Sequence, residues 1–350
     1  MSPKFNSISL KVSILCVSLL FLQSVFAQYN FKEVDALLEK NQRALGNNVS
    51  ALIYKDGKIV YNRSMGDFDE NSQAPVASCS KWFTAALVMT FIEEGKLSLE
   101  DTVGKFLPEF TKNGKGNIKI KHCLSHTTGI ESEPIRLVRL MQRSKYSSLA
   151  EEVNDFALKG MLAEPGKEFR YSSIGLNIAG RILEVISKKD FETLMQERIF
   201  KPLEMKMSSF AGGKQTINPS GGAKSTAGNY MNFLIMLLNK GTFNGKKILN
   251  ASSVEQMQRS QTTQSMIKYA PKAAEGFDYA FGEWVLEKDS SGRSVVVSSP
   301  GLFGTWPYID NCRGYAAIFF IKNLLAGEKK KDIHLQLKKA IDKQITTTCK

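Results

Sequence analysis

The sequence predicts an α+β fold in which an antiparallel sheet is assembled from both ends of the chain and a mostly helical lobe lies between them. Segments with strand-like alternation occur near the N-terminus, at 49–63, and return at 279–322. The long stretch between them, 96–265, is dominated by helical spacing of apolar residues. No internal repeat, low-complexity tract or linker interrupts this plan.

Residues 31–45 carry apolar side chains at helical spacing and are predicted as the first helix. Residues 49–54 and 58–63 alternate around Asp56-Gly57, a strong hairpin signal. A helix is expected over 78–94, closed by Gly95. The clearest pieces of the helical middle are 148–159, 174–188, 190–199 and 226–239, separated by Pro and Gly. Strands are then expected at 279–287, 293–298, 304–309 and 314–322, with a last helix at about 329–345. The crevice between the two lobes is the natural place for a site.

The first 27 residues have another character. Lys4 and Lys11 form a basic start, residues 12–22 are almost all apolar, and Val25-Phe26-Ala27 offers a cleavage site before Gln28. This reads as a secretory signal peptide (1–27) ahead of one domain (28–350), so a periplasmic or secreted protein is expected. The apolar run is short of the roughly 20 residues of a stable membrane span. Of 350 residues, 43% are hydrophobic and 23% charged, which suits a globular protein. Removing Lys4 and Lys11 leaves a net charge of +11 of the original +13. The lysines are scattered, with clusters at 112–121 and 329–331 and no interleaved aromatics. They read as solvated faces with weak attraction to an anionic cell envelope, and no nucleic-acid partner is expected.

Cys79, Cys123, Cys312 and Cys349 remain after cleavage, without a CxxC pattern. With three histidines in the chain, no metal site and no cofactor are expected. Cys312 sits in an apparent turn, Asp310-Asn311-Cys312-Arg313. The last helix, running back antiparallel, would bring Cys349 towards it, so a Cys312–Cys349 disulfide is expected in an oxidising compartment.

The chemistry concentrates at Ala77-Ser78-Cys79-Ser80-Lys81. A serine alcohol is a poor nucleophile until a base takes its proton. Residues three apart share a helix face, so the Lys81 amine would lie beneath Ser78. Desolvation in a crevice favours the neutral amine, and the helix terminus supplies positive potential and a backbone N–H for an oxyanion. Ser-x-x-Lys by itself also describes a capped surface helix.

The surrounding residues decide between these. Ser78-Cys79-Ser80-Lys81, Phe83-Thr84-Ala85-Ala86, the run from Glu93 to Asp101 and Leu107-Pro108-Glu109 resemble the serine β-lactamase and penicillin-binding group. The resemblance is nearest to class C β-lactamases and family VIII carboxylesterases. It continues through the run from Cys123 to Gly129, Lys201-Pro202-Leu203-Glu204-Met205 and Ser225-Thr226-Ala227-Gly228, covering about residues 50–325. It implies a β-lactamase/transpeptidase-like fold and an acyl-enzyme mechanism without metal or cofactor, on a small-molecule or peptide-like substrate.

The same resemblance assigns the other site residues. Tyr171, in Phe169-Arg170-Tyr171-Ser172-Ser173, stands where the group has the tyrosine of Tyr-x-Asn, a phenol that passes protons between nucleophile, Lys81 and leaving group. Ser173 replaces the Asn of that element and offers one hydroxyl where an amide would be read. In Ser298-Ser299-Pro300-Gly301-Leu302, Ser299 replaces the family's cation and Gly301 is retained, giving substrate close access to the strand. The backbone N–H groups of Ser78 and Leu302 are the implied oxyanion hole. A neutral Ser299 cannot hold a substrate carboxylate as Lys or His⁺ does.

The resemblance places His122 and His126 at a helix start away from the nucleophile, so both are read as structural, and His334 on the terminal helix is read as a surface residue. An ester or small-amide hydrolase therefore fits best. A β-lactamase or D-Ala-D-Ala-type peptidase is the alternative, and a binding protein of weak turnover is the third.

Overall fold

The computed structural model describes residues 29–132, 146–211, 216–323 and 330–349. The leader expected over 1–27 lies outside them. Among the described residues, no helix is long and apolar enough to cross a membrane.

The sheet is built from both ends of the chain. Strands β1 (Val49–Lys55) and β2 (Lys58–Met65) form the N-terminal hairpin. Asp56 and Gly57 both take positive φ, 51° and 80°, as a two-residue turn matched to strand twist requires. From the other end come β3 (Asp278–Tyr279), β4 (Trp284–Lys288), β5 (Ser294–Ser298), β6 (Gly304–Asp310) and β7 (Tyr315–Lys322). The order β2-β1-β7-β6-β5-β4-β3 is antiparallel throughout, with β1 and β7 joined from Val49↔Ile321 to Lys55↔Tyr315.

Strand β7 shows why the sheet is covered on both faces. Tyr315, Ala317, Phe319 and Ile321 join the cluster under the terminal helices α1 (Lys32–Asn41) and α6 (Lys331–Asp342). Ala316, Ile318 and Phe320 point the other way, into the core of the helical lobe. Helix α5 (Ala227–Leu238) lies across β1, β6 and β7 on that second face.

Helix α2 (Ser80–Glu93) runs through the middle of that core. Every residue from Ser80 to Phe91 is buried, so it has no polar stripe. Gly95, at φ 67°, closes it. Helices α3 (Leu149–Leu158) and α4 (Ile174–Ser187) complete the lobe around the site.

Four expectations need correction. The strand expected over 279–287 is two strands, broken at Gly282. A Cβ there would lie 2.6 Å from the Lys81 carbonyl oxygen, so α2 presses on the chain at the break. The helix expected over 190–199 is α-helical at Phe191–Met195 and continues as a π-helical turn at Gln196–Phe200. His334 is 1% exposed, its ring stacked on Trp306 at 4.7 Å. It shares a helix face with Leu337, Lys338 and Ile341, and that face packs on the sheet. Finally, the basic clusters are not wholly solvated: Lys115 and Lys330 are buried.

Cys312 and Cys349 form a disulfide across 37 residues, with Cα atoms 5.1 Å apart, while Cys79 and Cys123 are buried free thiols. In a chain beginning at Gln28, thiol titration in denaturant should find two thiols without reductant and four with it. Cys349→Ser should lower unfolding free energy by about 3 kcal/mol, read by denaturant melts.

Burial also holds His122 down to about 4 and His334 to about 3, and drives His126 well below the ordinary imidazole range. The unfolded chain gains these protons first, so stability should fall as pH drops below about 6.5, by up to about 1.4 kcal/mol per pH unit for each buried histidine. Thermal melts from pH 7 to 4 check this, and His334→Gln should flatten the slope.

Candidate active site

Ser78 lies in a 3₁₀ turn, Ala77–Cys79, that leads directly into α2. Ala77 has φ 47°, a conformation that costs a non-glycine residue about 1 kcal/mol or more. The turn is held where it is from several sides. The Ser80 hydroxyl donates to the Ala77 carbonyl at 2.6 Å, and the Val76 and Ala223 backbones bond at 2.9 Å. Tyr230 donates its phenol to the Cys79 carbonyl at 2.9 Å.

Lys81 is 1% exposed, and its amine lies 3.2 Å from Ser78 Oγ. It also donates to the Ser220 carbonyl at 2.8 Å and sits 4.8 Å from the centroid of the Tyr171 ring. Ser220 is fixed in turn. Its N–H donates to Asn177 Oδ1 at 3.0 Å, its hydroxyl to Asn218 Oδ1 at 2.9 Å, and Asn177 donates to Glu152 at 3.0 Å. A buried polar chain thus runs from α3 through α4 to the lysine, with each member satisfied.

Tyr171 is 3% exposed and lines one pocket with Ser78 and Leu302. Burial pushes its phenol well above the ordinary range, while the Ser78 hydroxyl pulls the other way. It therefore stands as a neutral phenol, able to donate a proton. Behind it the His126 ring packs at 4.6 Å. His126 Nδ1 accepts the Ser172 N–H at 3.4 Å, which leaves the proton on Nε2 to face the Tyr279 hydroxyl at 3.1 Å. His126 is thus beside the site as a neutral packing and hydrogen-bonding group, not away from it. Its own burial, then Lys81, keep it neutral.

The remaining sequence-derived residues separate. Leu302 and Gly301 line the same pocket as Ser78 and Tyr171. A Cβ on Gly301 would come 2.4 Å from the Val76 carbonyl oxygen, so the glycine accommodates the nucleophile turn itself. Ser299 is 2% exposed and its hydroxyl donates to the Gly282 and Ser78 carbonyls at 3.0 and 3.3 Å. It braces the backbone and presents no charge. Ser173 stands at the N-cap position of α4 without a side-chain cap bond and is half-buried.

Sequence reasoning missed Ser220, Asn177, Glu152 and Lys330. Asn177 had a signal, as one polar residue on the apolar face of α4. Ser220 acts through a carbonyl, which no side chain reports.

With this geometry in place, the comparisons are direct. The Beta-lactamase family model matches residues 34–340. The chain belongs to the Beta-lactamase family. It is therefore a member of a serine hydrolase superfamily. Protein flp of Staphylococcus aureus is 30% identical over 201 residues, 53% of this chain and 39% of that protein. The chain thus spans about two-fifths of the length of this curated relative. A β-lactamase-like protein from Bacteroides dorei DSM 17855 superposes with a TM-score of 0.79 at 26% identity, covering 90% of this chain and 99% of that one. A family VIII carboxylesterase superposes at 0.73 with 15% identity, over 90% and 97% of the two chains, a likeness of fold alone.

Gly301→Ala should displace the turn that carries Ser78. Turnover of any substrate should drop by about tenfold or more, with slower labelling by a serine-directed fluorophosphonate, while the circular dichroism spectrum stays the same.

Proposed function

We propose that this Beta-lactamase family member is an exported hydrolase that forms an acyl-enzyme on Ser78 and acts on esters or small amides. The observation that carries this reading is the Lys81 amine, buried and 3.2 Å from Ser78 Oγ at the pocket that Tyr171 lines.

The reaction follows from these groups. Lys81, the amine nearest to Ser78, takes the hydroxyl proton as Ser78 Oγ bonds to the substrate carbonyl carbon. The developing oxyanion is received by the backbone N–H groups of Ser78 and Leu302. Tyr171, neutral through burial, gives its proton to the departing alcohol or amine and recovers one from Lys81. The bond to the leaving group then breaks. Water attacks the acyl carbon and loses a proton to the same relay, the bond from that carbon to Ser78 Oγ breaks as Oγ takes the proton back, and the acid leaves.

Ester and small-amide substrates are favoured because two recognition groups of the β-lactam-reactive relatives have changed. The Ser299 hydroxyl is engaged by two backbone carbonyls, and Ser173 has no amide to offer. The fold is shared with a family VIII carboxylesterase and a D-stereospecific amidohydrolase, which is compatible with this class. The leader over residues 1–27 supports action in the periplasm or outside the cell. A β-lactamase or D-Ala-D-Ala-type peptidase is the second reading, favoured by the cationic Lys330 on the pocket wall.

Purified protein and its Ser78→Ala variant should be exposed to a fluorophosphonate, a fluorescent penicillin, a chromogenic cephalosporin and p-nitrophenyl esters. Ser78→Ala should lose labelling and at least about 1,000-fold in kcat/KM, Lys81→Met a similar amount, and Tyr171→Phe about 100-fold. Equal labelling and turnover in wild type and Ser78→Ala would remove the nucleophile assignment. Cephalosporin turnover outpacing ester turnover would favour the second reading.

A further inference from the structure

We propose that Lys330 selects the substrate: its ammonium receives a carboxylate carried close to the carbonyl that Ser78 attacks. This rests on the acyl-transfer reading above only for the position of that carbonyl.

Lys330 is 5% exposed, and its Nζ has no hydrogen-bond partner among the described residues. A buried amine without a partner is expensive, and native proteins leave few. It lines the same pocket as Ser78, Tyr171 and Leu302. Its Nζ lies over Gly304, where an added Cβ would fall 2.7 Å from it. The glycine at the start of β6 therefore makes the room into which the amine reaches.

The surroundings favour an anion. No Asp or Glu lines the pocket. Lys331 is otherwise engaged, donating to the Glu275 carbonyl and lying 4.4 Å from the Phe277 ring centroid. His334 is neutral, held down by burial and by Lys330 itself. Burial brings the Lys330 ammonium down to about 8, so it remains mostly charged at neutral pH.

The shape narrows the ligand further. Trp284, Trp306, Pro300 and Leu302 give the pocket that Lys330 and Ser78 share a largely apolar lining. A point charge in such a lining suits one carboxylate on a flat or apolar frame. Ser299, by contrast, keeps its hydroxyl on backbone carbonyls, so the cation comes from the start of the terminal helix instead.

Binding and turnover test this separately. Calorimetry would measure benzoate and its neutral counterpart benzyl alcohol against Ser78→Ala and against Ser78→Ala with Lys330→Met. Benzoate affinity should fall by about tenfold or more, and by far more than that of benzyl alcohol, while Lys330→Arg retains most of it. Lys330→Gln replaces the Met variant if the latter fails to fold. With Ser78 intact, the kcat/KM ratio of 3-carboxyphenyl acetate to phenyl acetate should fall about 10- to 100-fold in Lys330→Met. A penicillin and a peptide ending in D-alanine, each compared with its carboxamide, distinguish the two natural sources of such a carboxylate. Benzoate binding that is absent, or unchanged without Lys330, overturns the proposal, as does an equal loss for both esters. Lys330-dependent benzoate binding alongside esters cleaved equally by Ser78→Ala would remove the nucleophile instead and leave the anion site standing.

Discussion

The amine of Lys81 has to be held dry, within reach of one hydroxyl, on a helix that gives it no polar surroundings of its own. Helix α2 is buried on every face, so the lysine must find its partners outside the helix. It finds the Ser220 carbonyl, fixed through Asn177, Asn218 and Glu152, and the hydroxyl of Ser78. Removing a link from such a buried chain leaves an unsatisfied polar group, with a penalty of about 1–3 kcal/mol. The burial that would otherwise exclude a lysine is thus what keeps the base and nucleophile in one geometry.

The nucleophile turn is wedged between the two lobes by close backbone approaches. Gly301 lets the sheet side of the cleft press on Val76, and Gly282 lets the break between β3 and β4 press on the Lys81 carbonyl. Ser299 adds hydroxyl bonds to the Ser78 and Gly282 carbonyls. These contacts offset the positive φ of Ala77 and keep Ser78 half-buried at the pocket. Residues that substrate recognition would claim are here occupied in positioning the backbone.

That occupation shifts recognition elsewhere. With Ser299 turned inward, the cation without a hydrogen-bond partner among the described residues that line the pocket is Lys330, which lines it together with Trp306, His334 and Gly304. Tyr171, lining the same pocket, is enclosed by His126, Tyr279 and Trp284, an aromatic setting that keeps the phenol protonated. One pocket thus combines proton delivery with charge recognition.

Local chemistry was sufficient for much of this. Alternation and the Asp56-Gly57 turn specify the hairpin, a helix over 78–94 is closed by Gly95, and the three-residue spacing puts Lys81 under Ser78. The meeting of the two chain ends was also legible, because strands are expected at 49–63 and 279–322 on either side of a long helical middle. Tertiary structure alone decided the rest. A carbonyl such as that of Ser220 has no side-chain signature, and His334 and Lys330 look like solvent-facing residues until their helix docks. Gly301 and Gly282 look like turn residues until another backbone arrives. Periodicity reports which face of an element is buried, but which atoms meet across that face depends on distances set by distant segments.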